Sequence, residues 1–219
     1  MKLEDALHIA EKAAQDELSE KRMMHVRGTA AEAAALGELF VRAGMLSRMD
    51  AGRLRVAAML HDITKEKTKE EQMELCRRHR IALTPCEEEN GKLHHAITGG
   101  HYARELVGQR IADDAVCSAI RRHTVGDGNM TLTETLLYLA DWIEPTRTWP
   151  TCLELRRMFY GPGPQNMTAE QLSAHLDAVV IRSCELAMAE LIEGGQTIDP
   201  HTVAMRNALI LKSRLAPKV

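Results

Sequence analysis

Apolar residues recur at helical spacing along almost the whole of this 219-residue chain, and no β-branched alternation makes a convincing strand. Such spacing gives each helix one apolar stripe, so the chain must fold by packing helix against helix. The length suits one well-buried core and is short for two. The expected architecture is all-α, a single domain over 1–219 with about eight to ten helices.

Local signals divide the pattern. A first helix is expected over 3–17 and a second from Ser19, an N-cap residue, to 43, with Gly44 as its stop. Asp50 reads as the cap of a short apolar helix, RLRVAAML, that runs into His61-Asp62. Thr68 with Glu71, Thr131 with Glu134 and Thr168 with Gln171 have capping-box spacing and open three more, the first reaching about Arg80. Others are expected over 93–107 with Gly108 as the stop, from Asp113 or Asp114 to His123, and after Pro200. The helix that Thr131 opens must stop before Pro145. TVGDGNM (124–130) and GPGPQNM (161–167) read as loops. Leu172, Leu176, Val180, Cys184, Ala187 and Leu191 form the stripe by which the long helix after Thr168 faces a core.

Composition removes several classes of function. Net charge is −3, from 28 basic and 31 acidic residues, so no polycation drives binding to nucleic acid or a membrane surface. The cysteines (76, 86, 117, 152, 184) are odd in number, scattered and never C-x-x-C, which suits a reduced, cytoplasmic protein better than a disulfide framework. The first residues are acidic and amphipathic, unlike a secretory signal. Apolar stretches such as Val56 to Leu60 are too short to span a bilayer.

Against this background four separated positions carry chemistry: His25, the pair His61-Asp62, and Asp141. Neighbouring helical side chains point about 100° apart, so His61 and Asp62 can converge only from a helix end or a distorted last turn. Asp141 and Glu144 lie where Pro145 ends a helix, against the negative end of its dipole, at a cost of up to about 1 kcal/mol each. An acid so placed, at the edge of a buried face, needs a cation. A metal would serve for Asp141 and Arg147 for Glu144. Two imidazoles and two carboxylates suit Fe, Mn, Co, Ni or Zn with room left for water, which points to hydrolysis at phosphorus.

A second ion would need more nitrogen donors, and His95 and His123 are candidates. His95 shares a stripe with Gly99, Tyr102 and Leu106, where the glycine permits close approach of another element. His94 shares its face with Thr98, His101 and Glu105, which looks solvated, so His95 is preferred. His123 follows Arg121 and Arg122, a last turn that the dipole would favour as cationic without any metal. Asp62 could bridge two such ions. Lys65 and Arg147 lie close to these positions and offer positive charge for phosphates. Trp142 and Trp149 could stack a base, although core packing is their ordinary use.

MLHDITK (59–65), LHHAITGG (93–100), IRRHTVGDGNMT (120–131) and LADWIEPTRTWP (139–150) together resemble the HD-domain metal phosphohydrolases, and within them the YqeK family of bacterial symmetrical diadenosine-tetraphosphate hydrolases. The resemblance covers about 18–157 as the HD core, with helices over 168–214 packing on it. It implies a single HD-domain helical bundle, an iron site of one or two ions, and cleavage of diadenosine tetraphosphate to two ADP by metal-activated hydroxide at an internal phosphorus. Carried over, His25, His61, Asp62 and Asp141 would hold one ion, and His95 and His123 the second, with Asp62 bridging. Asp62, Lys65 and Arg147 would act in catalysis, and Lys65, Thr124, Gly126 and Arg147 would line the phosphate path. Two positions depart from the family: His94 stands where an aromatic residue is common, and GDGN (126–129) has an acid where a base is common.

The expected partner is a small-molecule nucleotide, with a homodimer left open. One rival keeps the metal chemistry but takes nucleoside monophosphates or other small phosphate esters. The other is a non-catalytic HD fold used for interaction, with an NAD-synthesis enzyme as its partner.

Overall fold

The computed structural model describes residues 1–215, so the expected domain end at 219 lies outside the described residues. These form eleven α-helices and no strand. They are α1 (Leu3–Glu17), α2 (Glu20–Arg42), α3 (Arg48–Leu60), α4 (Lys69–Arg78), α5 (Pro85–Glu89), α6 (His94–Val107), α7 (Asp114–Arg122), α8 (Leu132–Ile143), α9 (Pro150–Tyr160), α10 (Ala169–Glu193) and α11 (Pro200–Leu215). Single 3₁₀ turns occupy Gly91–Leu93 and Pro164–Asn166.

The caps follow side-chain chemistry. Ser19 accepts from the amide of Arg22, and Thr68, Thr131 and Thr168 form both halves of their capping boxes. Gly44 and Gly108 take φ of 72° and 79° where α2 and α6 end, a region that other residues enter at a cost. Three local expectations are corrected. Ser47, not Asp50, caps α3, because its hydroxyl reaches the amide of Asp50. α4 ends at Arg78 rather than Arg80, which itself has φ 55°. α5 and α9 were not foreseen, and both begin on a proline, whose missing N–H costs nothing in a first turn.

Helix α2 packs along α3 and α8, and α3 also meets α1 and α7. α6 lies against α7, where a Cβ on Gly100 would come within 2.7 Å of the Cys117 carbonyl oxygen. α10 rests on α9 and α11. A continuous apolar core runs from Ala6 to Met205. Buried leucines such as Leu36, Leu54 and Leu136 each contribute roughly 1.5–3 kcal/mol relative to exposure. In the α10 stripe, Leu172, Leu176, Val180 and Cys184 are buried, whereas Ala187 and Leu191 are half-buried and border a cavity. That cavity, about 590 Å³, opens where α2, α3, α6, α7 and α8 present their polar ends to one another.

Candidate metal centre

Five segments deliver one polar cluster. His25 comes from the second turn of α2, and Asp141 from the last turn of α8. His61 and Asp62 follow α3 directly, where Ile63 N bonds Leu60 O and Lys65 N bonds Asp62 O. This tightened turn brings two consecutive side chains to one place. Thr64 fixes the turn from below by donating to the His95 carbonyl at 3.0 Å. His95 lies in the first turn of α6, and His123 caps the end of α7.

The four imidazoles are held alike through Nδ1. Nδ1 of His61, His95 and His123 lies 2.7–2.8 Å from the carbonyls of Ala58, Lys92 and Ile120. Nδ1 of His25 lies 3.1 Å from Glu144 Oε1. A carbonyl or carboxylate can only accept, so each Nδ1 carries a proton and Nε2 is the atom left to meet a cation or a second proton. These Nε2 atoms face inward. His25 Nε2 is 3.3 Å from His61 Nε2, and His95 Nε2 is 3.1 Å from His123 Nε2. Two acceptors at such a distance repel unless a cation or proton sits between them.

Asp62 stands across both pairs. Its Oδ2 is 3.6 Å from His25 Nε2 and 3.7 Å from His61 Nε2, while Oδ1 is 3.3 Å from His95 Nε2 and 3.8 Å from His123 Nε2. Asp141 Oδ1 joins the first pair, 3.0 Å from His25 and 3.6 Å from His61. Three overlapping triads therefore have donors mutually within 4.8 Å: His25-His61-Asp62, His61-His123-Asp141 and Asp62-His95-His123. Nitrogen and oxygen donors without sulfur, in this number, fit one or two divalent transition ions.

Burial and charge act on these groups in opposition. Burial would raise the Asp62 carboxyl, but the surrounding imidazoles and the Lys65 ammonium hold it below its usual range. Asp141 is likewise held well down against burial, by Arg147 and by hydrogen bonds from His25 and His61. Burial works against a charge on His25, yet hydrogen bonds to Asp141 and Glu144 outweigh it and lift the imidazole to about 9. Burial and the neighbouring Lys65 push His95 well down, and burial with His61 brings His123 to about 4.

The other expected residues divide. Lys65 lines the cavity with Nζ 3.0 Å from His95 Nε2, and burial lowers its ammonium. Thr124 Oγ1 lies 3.1 Å from His123 Nε2. Arg147 binds Asp141 at 2.6 Å and stacks over Trp149, so it does not serve Glu144 as expected. Trp142 and Trp149 border the cavity, and Trp149 is 62% exposed rather than core. Gly126 does not line it. The residue has φ 73°, and a Cβ there would collide with Met205 of α11, so its role is in the backbone and packing. His94 is corrected as well: it is 1% exposed, with Nε2 on the Glu87 carbonyl at 2.8 Å, and Thr98 on the same face is buried too.

One residue escaped the sequence reading of the site, and another, Glu144, was read there only as an acid for Arg147 to balance. Arg22 places Nη1 3.0 Å from Asp62 Oδ2, and its position one turn before His25 on α2 is the signal that could have found it. Glu144 is fully buried and accepts from His25 and, at 2.6 Å, from both the amide and the hydroxyl of Thr146. Gly28 makes room for it, since a Cβ there would strike Glu144 Oε2. No short sequence window contains that contact.

A model of the HD domain family matches residues 22–146. A Halalkalibacterium halodurans protein named symmetrical bis(5'-nucleosyl)-tetraphosphatase is 32% identical over 197 residues, spanning 90% of this chain and 93% of its own. A Bacillus subtilis protein of the same name is 29% identical over 194 residues, spanning 89% and 92%. A crystal structure from Clostridium acetobutylicum, described as a predicted HD superfamily hydrolase involved in NAD metabolism, has a TM-score of 0.77 at 28% identity, covering 93% of this chain and 96% of that one.

Proposed function

Because the chain belongs to the HD-domain phosphohydrolases, we propose that it cleaves diadenosine tetraphosphate symmetrically into two ADP, using iron as its divalent metal. The inward convergence of four Nε2 atoms around Asp62, which stands between the two histidine pairs, carries this reading. His25, His61, Asp62 and Asp141 would hold one ion, and Asp62, His95 and His123 a second. Manganese, cobalt, nickel or zinc would satisfy the same donors. When bound, such ions draw charge from a phosphoryl oxygen and bring a water's ionisation near neutral pH.

The remaining work belongs to the chain's own side chains. Lys65, Arg147 and Arg22 project cations into the cavity, where they neutralise the polyphosphate and meet charge that develops on the departing ADP. Thr124 offers a hydroxyl to a phosphate oxygen. The exposed Trp149, stiffened by the Arg147 stack at 5.3 Å, presents a face for adenine. The reaction adds one water across the central P–O–P bridge: its oxygen joins one internal phosphorus as the bond to the other half opens, and each half leaves as ADP.

Metal analysis combined with a nucleotide panel tests the proposal. The expected result is up to two ions per chain and ADP as the sole product from diadenosine tetraphosphate. Formation of ATP and AMP, or full turnover after chelation, would overturn it.

A further inference from the structure

A second cavity, about 440 Å³, adjoins the first and shares three of its walls, Lys65, Lys92 and His95. Its other lining residues include Lys67, Lys69 and Gln72, and none of its described walls is acidic. The first cavity, by contrast, contains Asp62, Asp141, Glu190 and Asp199. Of the four lysines, Lys67 is engaged with Glu17 at 2.8 Å and lies over the Tyr102 ring. Lys65, Lys69 and Lys92 form no ion pair among the described residues. Asp62 and Asp141 of the first cavity partly balance Lys65, but Lys69 and Lys92 bring further positive charge to this concavity, and a polyanion is the ligand that relieves their repulsion.

A second observation points the same way. His94 also lines this cavity, is almost wholly buried, and has no partner for Nδ1. Its Nε2 must donate to the Glu87 carbonyl, so Nδ1 is an acceptor, directed toward Gly91 at the cavity wall. An orphaned buried acceptor calls for a hydroxyl or amine donor. Cations for phosphate beside an acceptor for a hydroxyl or amine is the chemistry that recognises a nucleotide.

We propose that the lysine-lined cavity is the subsite for the second nucleotide of the substrate, holding its phosphates on Lys69 and Lys92 while the first nucleotide occupies the larger cavity. The inference rests on the dinucleoside polyphosphate reading above. It explains how a central bridge comes to lie over the shared wall of Lys65 and His95, midway between two nucleotide-sized spaces.

Calorimetric titration of the metal-loaded protein with ADP, beside steady-state kinetics, tests it. Lys69→Glu is the informative variant, because Lys69 is exposed, opens α4 and touches only the second cavity. The wild type should bind two ADP per chain. The variant should bind one, with KM for diadenosine tetraphosphate raised about tenfold or more and kcat much less affected, as expected for loss of a charge-assisted contact. One ADP per chain in the wild type, or an unchanged KM in the variant, would overturn the subsite. Two ADP bound without any turnover of the dinucleotide would instead refute the substrate reading and leave the pocket standing.

Discussion

On the α2 and α8 side of Asp62, His25 and His61 share their space with Asp141, and Glu144 stands behind His25. On the α6 and α7 side, His95 and His123 have backbone carbonyls behind them and an ammonium, Lys65, in front. The two pairs are held alike through Nδ1 and have nearly the same spacing, yet His25 is lifted to about 9 while His123 falls to about 4. Desolvation acts on both, but hydrogen bonds to Asp141 and Glu144 outweigh it at His25, whereas at His123 the neighbouring His61 adds to it. The first side is therefore the stronger cation trap. The second is a pair of nitrogens disfavoured as cations, with Asp62 nearest His95 and Asp141 also within reach of His123.

The comparison can be broken most directly at its shared member. Asp62→Ala should remove metal from both sides and lower activity by roughly a thousandfold or more, since several kcal/mol of charge stabilisation disappear. Retention of both ions by that variant, measured by elemental analysis, would contradict a bridging role. Next come the two arms. His25→Ala should empty the more strongly held position and reduce turnover by about a hundredfold or more, whereas His123→Ala should retain one ion per chain. The asymmetry fails if His123→Ala loses all its metal while His25→Ala keeps one ion.

Glu144→Gln sharpens the contrast without touching a proposed ligand. It weakens the orientation and basicity of His25, so metal affinity on that side should fall about 10- to 100-fold while the fold survives. Competition with a graded chelator series would measure this. The smallest effect concerns stability of the chelator-stripped protein. His25 has a folded value of about 9 against an ordinary 6.5, so its protonation stabilises the fold fully below 6.5 and ceases to as pH rises through 9. Between pH 7 and 9.5 the stripped wild type should lose roughly 1–2 kcal/mol, read by denaturant titration, and Glu144→Gln should lose less.

Much of the fold was legible because helix ends are local events. Ser19, Thr68, Thr131 and Thr168 each cap their helix with a side chain that reaches only three residues, so a short window contains the whole interaction. Asp50 misled because Ser47 lies just as near, and two capping residues in one window cannot be ranked without the backbone. Helix α9 went unread for a related reason: a proline marks a helix stop as readily as a first turn, and Pro150 here opens a helix. The ligand types of the cluster were visible as His25, His61-Asp62 and Asp141, but the burial of His94 was not, because the 3₁₀ turn and α5 that cover it had no periodic signature.

By itself the sequence determined an all-helical chain, most of its helix ends and an inventory of imidazoles and carboxylates suited to a divalent ion. Only the tertiary structure decided that Asp62 stands between two histidine pairs, that Arg147 answers Asp141 while His25 answers Glu144, and that Gly126 packs under α11. The physical reason is range. Capping and periodicity act over a few residues along the chain, whereas electrostatics and packing act through space between helices whose separation in sequence carries no record of their contact.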